Sequence, residues 1–145
     1  MKVERPALRW HGGKWRLAPW IIGHMPEHRV YTEAFGGAAS VLLRKTRCKS
    51  EVYNDLDDVV VNLFRTLRGA RAPELIDAIR LTPFSRVEFE EAYLPSNDPV
   101  ERARALVMRS FMGFGSNGHA RKTGFRSKGY RAGLLPQHDW LGMPD

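Results

Sequence analysis

The alternation of apolar and polar positions predicts two short strands early in the chain and a run of helices after them. "RVYTEAF", residues 29–35, is rich in β-forming side chains and reads as a buried strand, and "SEVYN", residues 50–54, reads as a second. Between them "GAASVLLRKT", residues 37–46, has helical composition. Strand, glycine turn, helix and strand in that order imply two parallel strands of one sheet, an α/β arrangement. Upstream, "LAPWIIGHM" predicts a short helix with Pro19 in its first turn. After Asp57, the residues Val59, Val60, Leu63, Phe64 and Leu67 recur at helical spacings, with Gly69 as C-cap. "PELIDAIRL" and "SRVEFEEAYL" continue as short helices. In "NDPVERARALVMRSF", Asp98 is placed as N-cap, Pro99 at N1 and Glu101 at N3 of a capping box. Val100, Ala103, Val107, Ser110 and Phe111 then line one side. Regular periodicity stops from Gly113 to Gly133.

Length and composition narrow the class. A chain of 145 residues has the size of one domain and buries roughly two-thirds of its unfolded surface. No stretch reaches the ~20 apolar residues of a membrane span, and "MKVERPALRW" lacks an apolar signal core. A lone Cys48 excludes an internal disulfide and cannot by itself make a zinc site. The expectation is an intracellular, cytoplasmic protein without a membrane partner or a metal.

The charge adds a partner. Lys and Arg outnumber Asp and Glu by 23 to 16. Between Arg102 and Gln137 stand eight basic residues and no acidic one, so the rest of the chain balances at 15 minus 16. One segment therefore carries the whole excess, as a local field and not as a general solubility charge.

Two glycine pairs raise the question of a ligand. Gly36-Gly37 follows a strand and opens the predicted helix, an arrangement that lets a ligand approach the backbone near unpaired N–H groups. Asp55 lies 18 positions after Gly37, close to the ~20 at which an acid meets ribose hydroxyls. Close helix–strand packing with a capping Asp explains the same residues, and both readings stay open on this pair alone. "FGGAAS" lacks a full G-x-G-x-x-G and "HGGKWR" lacks the rest of a P-loop, which points to an adenosine ligand with little negative charge. In "RWHGGKWR", Trp10 and Lys14 flank two glycines. An indole there can stack on an adenine or face a cation such as a sulfonium, and the ammonium can reach a carboxylate. A core tryptophan followed by a solvated lysine is the plainer alternative.

Together "RWHGGK", "YTEAFGGAAS" and "YNDLDD", in this order, resemble the N-terminal part of the Dam-like adenine-specific DNA methyltransferases. "RSFMGFGSNGHARKTGFR" is similar to the target-contacting segment of their phage-type members, so the likeness covers essentially the whole chain. The resemblance implies a Rossmann-like, S-adenosylmethionine-dependent fold with a helical, basic DNA-contacting insertion. It also implies methyl transfer to the exocyclic amino group of adenine in double-stranded DNA. On this reading Trp10 and Lys14 bind S-adenosylmethionine, Phe35 and Gly37 shape its pocket, Asp55 accepts the ribose hydroxyls and Glu33 sits near the methionyl amine. Arg109, Asn117, Arg121, Lys122 and Arg126 contact DNA, where cations neutralise phosphates and Arg or Asn can read base edges. Residues 1–69 form the cofactor-binding part and 70–145 the target-recognition segment. Ala34 stands where the family usually has proline, and Ala39 where it often has a third glycine.

One family element is absent from these residues. Holding a flipped adenine and accepting from its amino group falls in the family to an Asp/Asn-Pro-Pro-aromatic motif. The sequence contains no Pro-Pro pair, and its Asp98-Pro99 is explained as a helix start. The expectation is an incomplete methyltransferase domain, with no catalytic residue assigned and inactive alone. A piece of a longer chain, a split enzyme completed by a second chain and a relic stay open. The rivals from other classes are a non-enzymatic DNA-binding protein and a methyltransferase acting on RNA or protein.

Overall fold

The protein is described by a computed structural model covering residues 3–118, 121–127 and 136–144. Lys128 and Arg131 of the basic segment lie outside the described residues. The chain divides into two compact units, Met1–Asp58 and Val59–Asp145.

The first unit holds helix α1 (Ala18–Gly23) and strands β1 (Val30–Glu33) and β2 (Ser50–Tyr53). Pro19 stands in the first turn of α1, where its missing N–H costs nothing. The two strands pair in parallel, with Val30 opposite Ser50 and Glu33 opposite Tyr53. The α/β expectation holds to that extent, as a two-stranded parallel sheet. β1 is not a buried strand, however: Val30 is 61% exposed, and only alternate residues are partly covered.

The helix expected over residues 37–46 is also absent, and that stretch is a series of turns. Its hydrogen bonds mix spacings of three and four, from Ala39 to Gly36, Leu43 to Ala39 and Arg44 to Val41. Two causes are visible. Gly37 and Ala39 have φ of 49° and 51°, outside the right-handed helical range. The Leu42 N–H donates to Glu33 Oε1 at 2.9 Å, so a side chain takes the donor that a regular helix would return to Ala38.

The second unit is helical: α2 (Asp58–Arg68), less its first residue, α3 (Ala72–Leu81), α4 (Arg86–Glu91), α5 (Pro99–Met112) and α6 (Pro136–Leu141). α5 is its centre, packed by α3, α4 and α6. It buries Ala105, Leu106, Met108 and Met112 besides the predicted Val100, Ala103, Val107, Ser110 and Phe111, so it is enclosed on more than one side. Asp98 caps it, accepting from the Glu101 N–H at 3.1 Å. The capping box is only half formed. Glu101 pairs with Arg104, and the Asp98 N–H donates to Ser96 Oγ instead. α6 carries no periodic signal; its Trp140 is 4% exposed and donates to the Thr82 carbonyl at 2.8 Å.

Candidate functional site

Within the first unit, the carboxyl ends of β1 and β2 open onto a cavity of about 620 Å3. Trp10, Lys14, Glu33, Phe35, Gly37 and Asp55 all line it, so one cavity gathers the six residues expected to bind a cofactor. Backbone turns bring them there. The Gly13 N–H donates to the Trp10 carbonyl, closing a turn whose third residue, Gly12, has φ of 72°. That turn carries Trp10 and Lys14 into the lining of one cavity, and Lys14 Nζ donates to the Gly12 carbonyl.

The second turn is held from β2. Asp55 Oδ2 accepts from the Gly37 N–H at 2.8 Å and Oδ1 from the Asp57 N–H at 2.9 Å. Each oxygen keeps a further lone pair for a ligand hydroxyl. Tyr53, which the sequence did not single out, donates its hydroxyl to the Gly37 carbonyl at 2.7 Å. Its ring explains Gly36: a Cβ there would stand 2.2 Å from Tyr53 Cε2. A Cβ on Gly37 would stand 2.7 Å from Trp10 Nε1. Both glycines are thus required by packing against the protein's own aromatic rings, and through that packing they shape the cavity. The packing reading of the pair therefore holds.

Glu33 is the electrostatic centre. Oε1 accepts from the Tyr31 hydroxyl and the Leu42 N–H, each at 2.9 Å, whereas Oε2 is buried with no hydrogen-bond partner. Burial raises the Glu33 pKa above the ordinary carboxylate value, against the opposing pull of those two donors and of Lys45. Burial, then Glu33 itself, pushes the Tyr31 phenol up, so that group stays a donor. An unpaired buried carboxylate oxygen costs free energy unless a donor or cation completes it. Phe35 and Leu56 are 84% and 88% exposed at the same cavity, two apolar surfaces open to a flat ligand. Leu56 also went unnoticed in the sequence, since it follows an acid in a short polar stretch.

The expected DNA contacts lie in the second unit. Gly113 and Phe125 form an antiparallel bridge, and Phe114 N–H to Gly124 O and Arg126 N–H to Met112 O, both 2.7 Å, close the base of a loop after α5. Gly118 packs against the end of α5, where a Cβ would stand 2.5 Å from the Arg109 carbonyl. Arg121 and Lys122 are exposed on this loop, Asn117 and Arg126 are half-buried, and Arg109 of α5 backs Gly118. The run of eight cations overstates the field offered to a partner. Arg104 is neutralised by Glu88 at 3.2 Å and Glu101 at 2.7 Å, carboxylates that α4 and the first turn of α5 supply.

No described helix is long and apolar enough to cross a membrane, and the described residues hold no cluster of metal-ligating side chains.

Comparison with known proteins gives the family. The DNA adenine methylase of Escherichia coli is 30% identical over 121 residues, covering 79% of this chain and 43% of that protein. The DNA adenine methylase of Vibrio cholerae is 29% identical over 120 residues, again 79% of this chain and 43% of its own length. The chain therefore spans less than half the length of either relative. The profile of one family, described as D12 class N6 adenine-specific DNA methyltransferase, matches residues 10–125, from the tryptophan of the first turn to the phenylalanine of the loop bridge. With most of its length matched, including the cavity and the basic loop, the chain belongs to the D12 class N6 adenine-specific DNA methyltransferase family.

Proposed function

We propose that this chain supplies the cofactor-binding and target-contacting parts of an enzyme that methylates the N6 amino group of adenine in double-stranded DNA. Cofactor binding falls to residues 1–69 and target recognition to 70–145, on a Rossmann-like methyltransferase framework. The observation that carries the reading is the composition of the cavity: two aromatic rings, a ribose-competent carboxylate and a buried carboxylate oxygen without a partner.

S-adenosylmethionine fits those residues, and when bound it supplies a methyl group activated by a sulfonium. Glu33 Oε2 would accept from the methionyl ammonium, gaining the cation that its burial demands. Lys14 would face the methionyl carboxylate. Phe35 and Leu56 would cover the adenine, and Trp10 would present its ring to the ligand's apolar and cationic edges. Asp55 would accept the ribose hydroxyls while keeping Gly37 in place. Arg109, Asn117, Arg121, Lys122 and Arg126 would meet the duplex, mostly through phosphates, with Asn117 and Arg121 able to read base edges. We assign no catalytic residue here. The acceptors for the amino group of a flipped adenine are expected from an Asp/Asn-Pro-Pro-aromatic motif, on further chain or on a second chain.

Calorimetric titration of S-adenosylmethionine, with and without an adenine-containing duplex, tests the proposal. Saturable binding that Asp55→Ala weakens by at least about tenfold is expected, since that change removes an acceptor from both ligand and turn. A folded chain that takes up no cofactor would refute the cofactor half.

A further inference from the structure

A residue outside every contact assigned above touches the basic loop. Tyr93, just beyond α4, has the Arg109 guanidinium 5.5 Å from its ring centroid and the Lys122 ammonium 5.7 Å from it. Its hydroxyl accepts from the Thr123 N–H at 3.3 Å. The ring is fixed from behind by an edge-on contact with Phe89, 5.3 Å between centroids, and Phe89 is 2% exposed. Phe89 also lies 5.8 Å from Phe125, the loop side of the antiparallel bridge. The end of α4 thus touches the loop at Lys122, Thr123 and Phe125, and touches α5 at Arg109.

Two cations from different elements repel when they are brought together, so something must hold them. An aromatic face does this by presenting partial negative charge to both. The bond that the Thr123 N–H, next to Lys122, donates to the Tyr93 hydroxyl then fixes the loop's height against the ring. The resulting arrangement gathers two cations around one ring, available to the phosphates of a duplex backbone.

We propose that Tyr93 is a positioning residue, touching no DNA itself, that gathers Arg109 and Lys122 and locks the loop at Thr123 so that both cations meet the duplex backbone. This rests on the DNA-contacting reading, and its test separates the two. The full chain, Tyr93→Phe and Tyr93→Leu would be compared by two readouts. The first is the rate of tryptic cleavage after Arg121 and Lys122 without DNA, followed by mass spectrometry. The second is the salt dependence of binding to a fluorescent duplex.

Tyr93→Leu, which loses ring and hydroxyl, should cleave about tenfold faster as the loop opens more often. Its log–log salt slope should fall by about 1 to 2, each lost phosphate contact being worth ~0.9. Tyr93→Phe keeps the ring; it should cleave severalfold faster but retain the wild-type slope. Cleavage of Tyr93→Leu at the wild-type rate would overturn the proposal, whatever the DNA result. Faster cleavage with an unchanged slope would overturn it too, because the cations would then meet DNA without the lock. A wild-type chain that fails to bind the duplex would refute the DNA reading, and cleavage alone would then judge the hold on the loop. If Tyr93→Leu loses its helical circular dichroism, Tyr93→Phe decides: cleavage equal to wild type overturns the proposal.

Discussion

The two units of this molecule are held together by different means. Among the described residues, the buried apolar side chains of the first unit are Leu8, Ala18, Ala38, Ala39 and Val41, mostly small. The second unit buries Leu63, Leu75, Ile79, Phe89, Leu106, Val107, Met108, Phe111, Met112 and Trp140, among others. Where the core is thin, polar latches stand in for it. Asp55 and Tyr53 hold the Gly37 turn, Glu33 holds Leu42, and Lys45, with a side chain 2% exposed, pairs with Glu51 at 2.5 Å. A hydrophobic core tolerates changes in pH and fails when a cavity opens. A polar latch tolerates modest changes in volume and fails when a partner or a proton is changed. The cavity is built on the second kind of framework, so its shape responds to single polar substitutions.

The contrast is broken most directly by emptying each core. Leu106→Ala, at a fully buried position on α5, should cost about 2–5 kcal/mol in urea unfolding followed by circular dichroism. Val41→Ala in the first unit should cost about 1–2 kcal/mol. Equal losses would show that the first unit depends on apolar burial as much as the second.

Removing a latch comes next. Lys45→Met leaves the Glu51 carboxylate with only the exposed Arg47, 3.9 Å away, and should cost about 3 kcal/mol at neutral pH. The hydrogen bond from Lys45 holds the Glu51 pKa below the ordinary carboxylate value. The pair's contribution is therefore complete above the pKa of an unfolded carboxylate and disappears as pH falls through the folded value. Unfolding of both proteins across acid pH should show the gap closing. Glu33 has the opposite sign. Burial raises its pKa, so its contribution is complete below the unfolded value and is lost as pH rises through the folded one. Glu33→Gln should abolish that downward slope, and a slope unchanged in the variant would remove Glu33 as its source.

Gly36→Ala sharpens the comparison at the smallest scale. The added Cβ would stand 2.2 Å from the Tyr53 ring, and the strain should cost about 1–3 kcal/mol. Adding Tyr53→Leu should recover part of the loss, a coupling that a double-mutant cycle measures. Independent, additive losses would mean that the ring does not set the turn.

The sequence by itself determined the elements whose signals are local. Helical spacing marked α2 to α5, β-forming runs marked both strands, and Asp98-Pro99 marked the start of the longest helix. It also marked Trp10, Lys14, Gly37 and Asp55, which stand in turns whose chemistry is written in neighbouring residues, while Glu33 and Phe35 of the same cavity were named only through the family resemblance. The tertiary structure alone decided what depended on distant partners. Residues 37–46 have helical composition, yet the Glu33 carboxylate, reaching across from β1, takes the Leu42 N–H, and positive φ at Gly37 and Ala39 turns the chain away from a helix. The reason for Gly36 was invisible until Tyr53 was seen beneath it. Arg104 counted as a cation in the sequence and is neutralised in the fold. Tyr93 read as the end of an ordinary helix and proved to face the basic loop. Propensity and capping act over a few residues and can be read in order along the chain. Burial, ion pairing and close approach depend on which side chains the fold brings together, and only the folded chain fixes those.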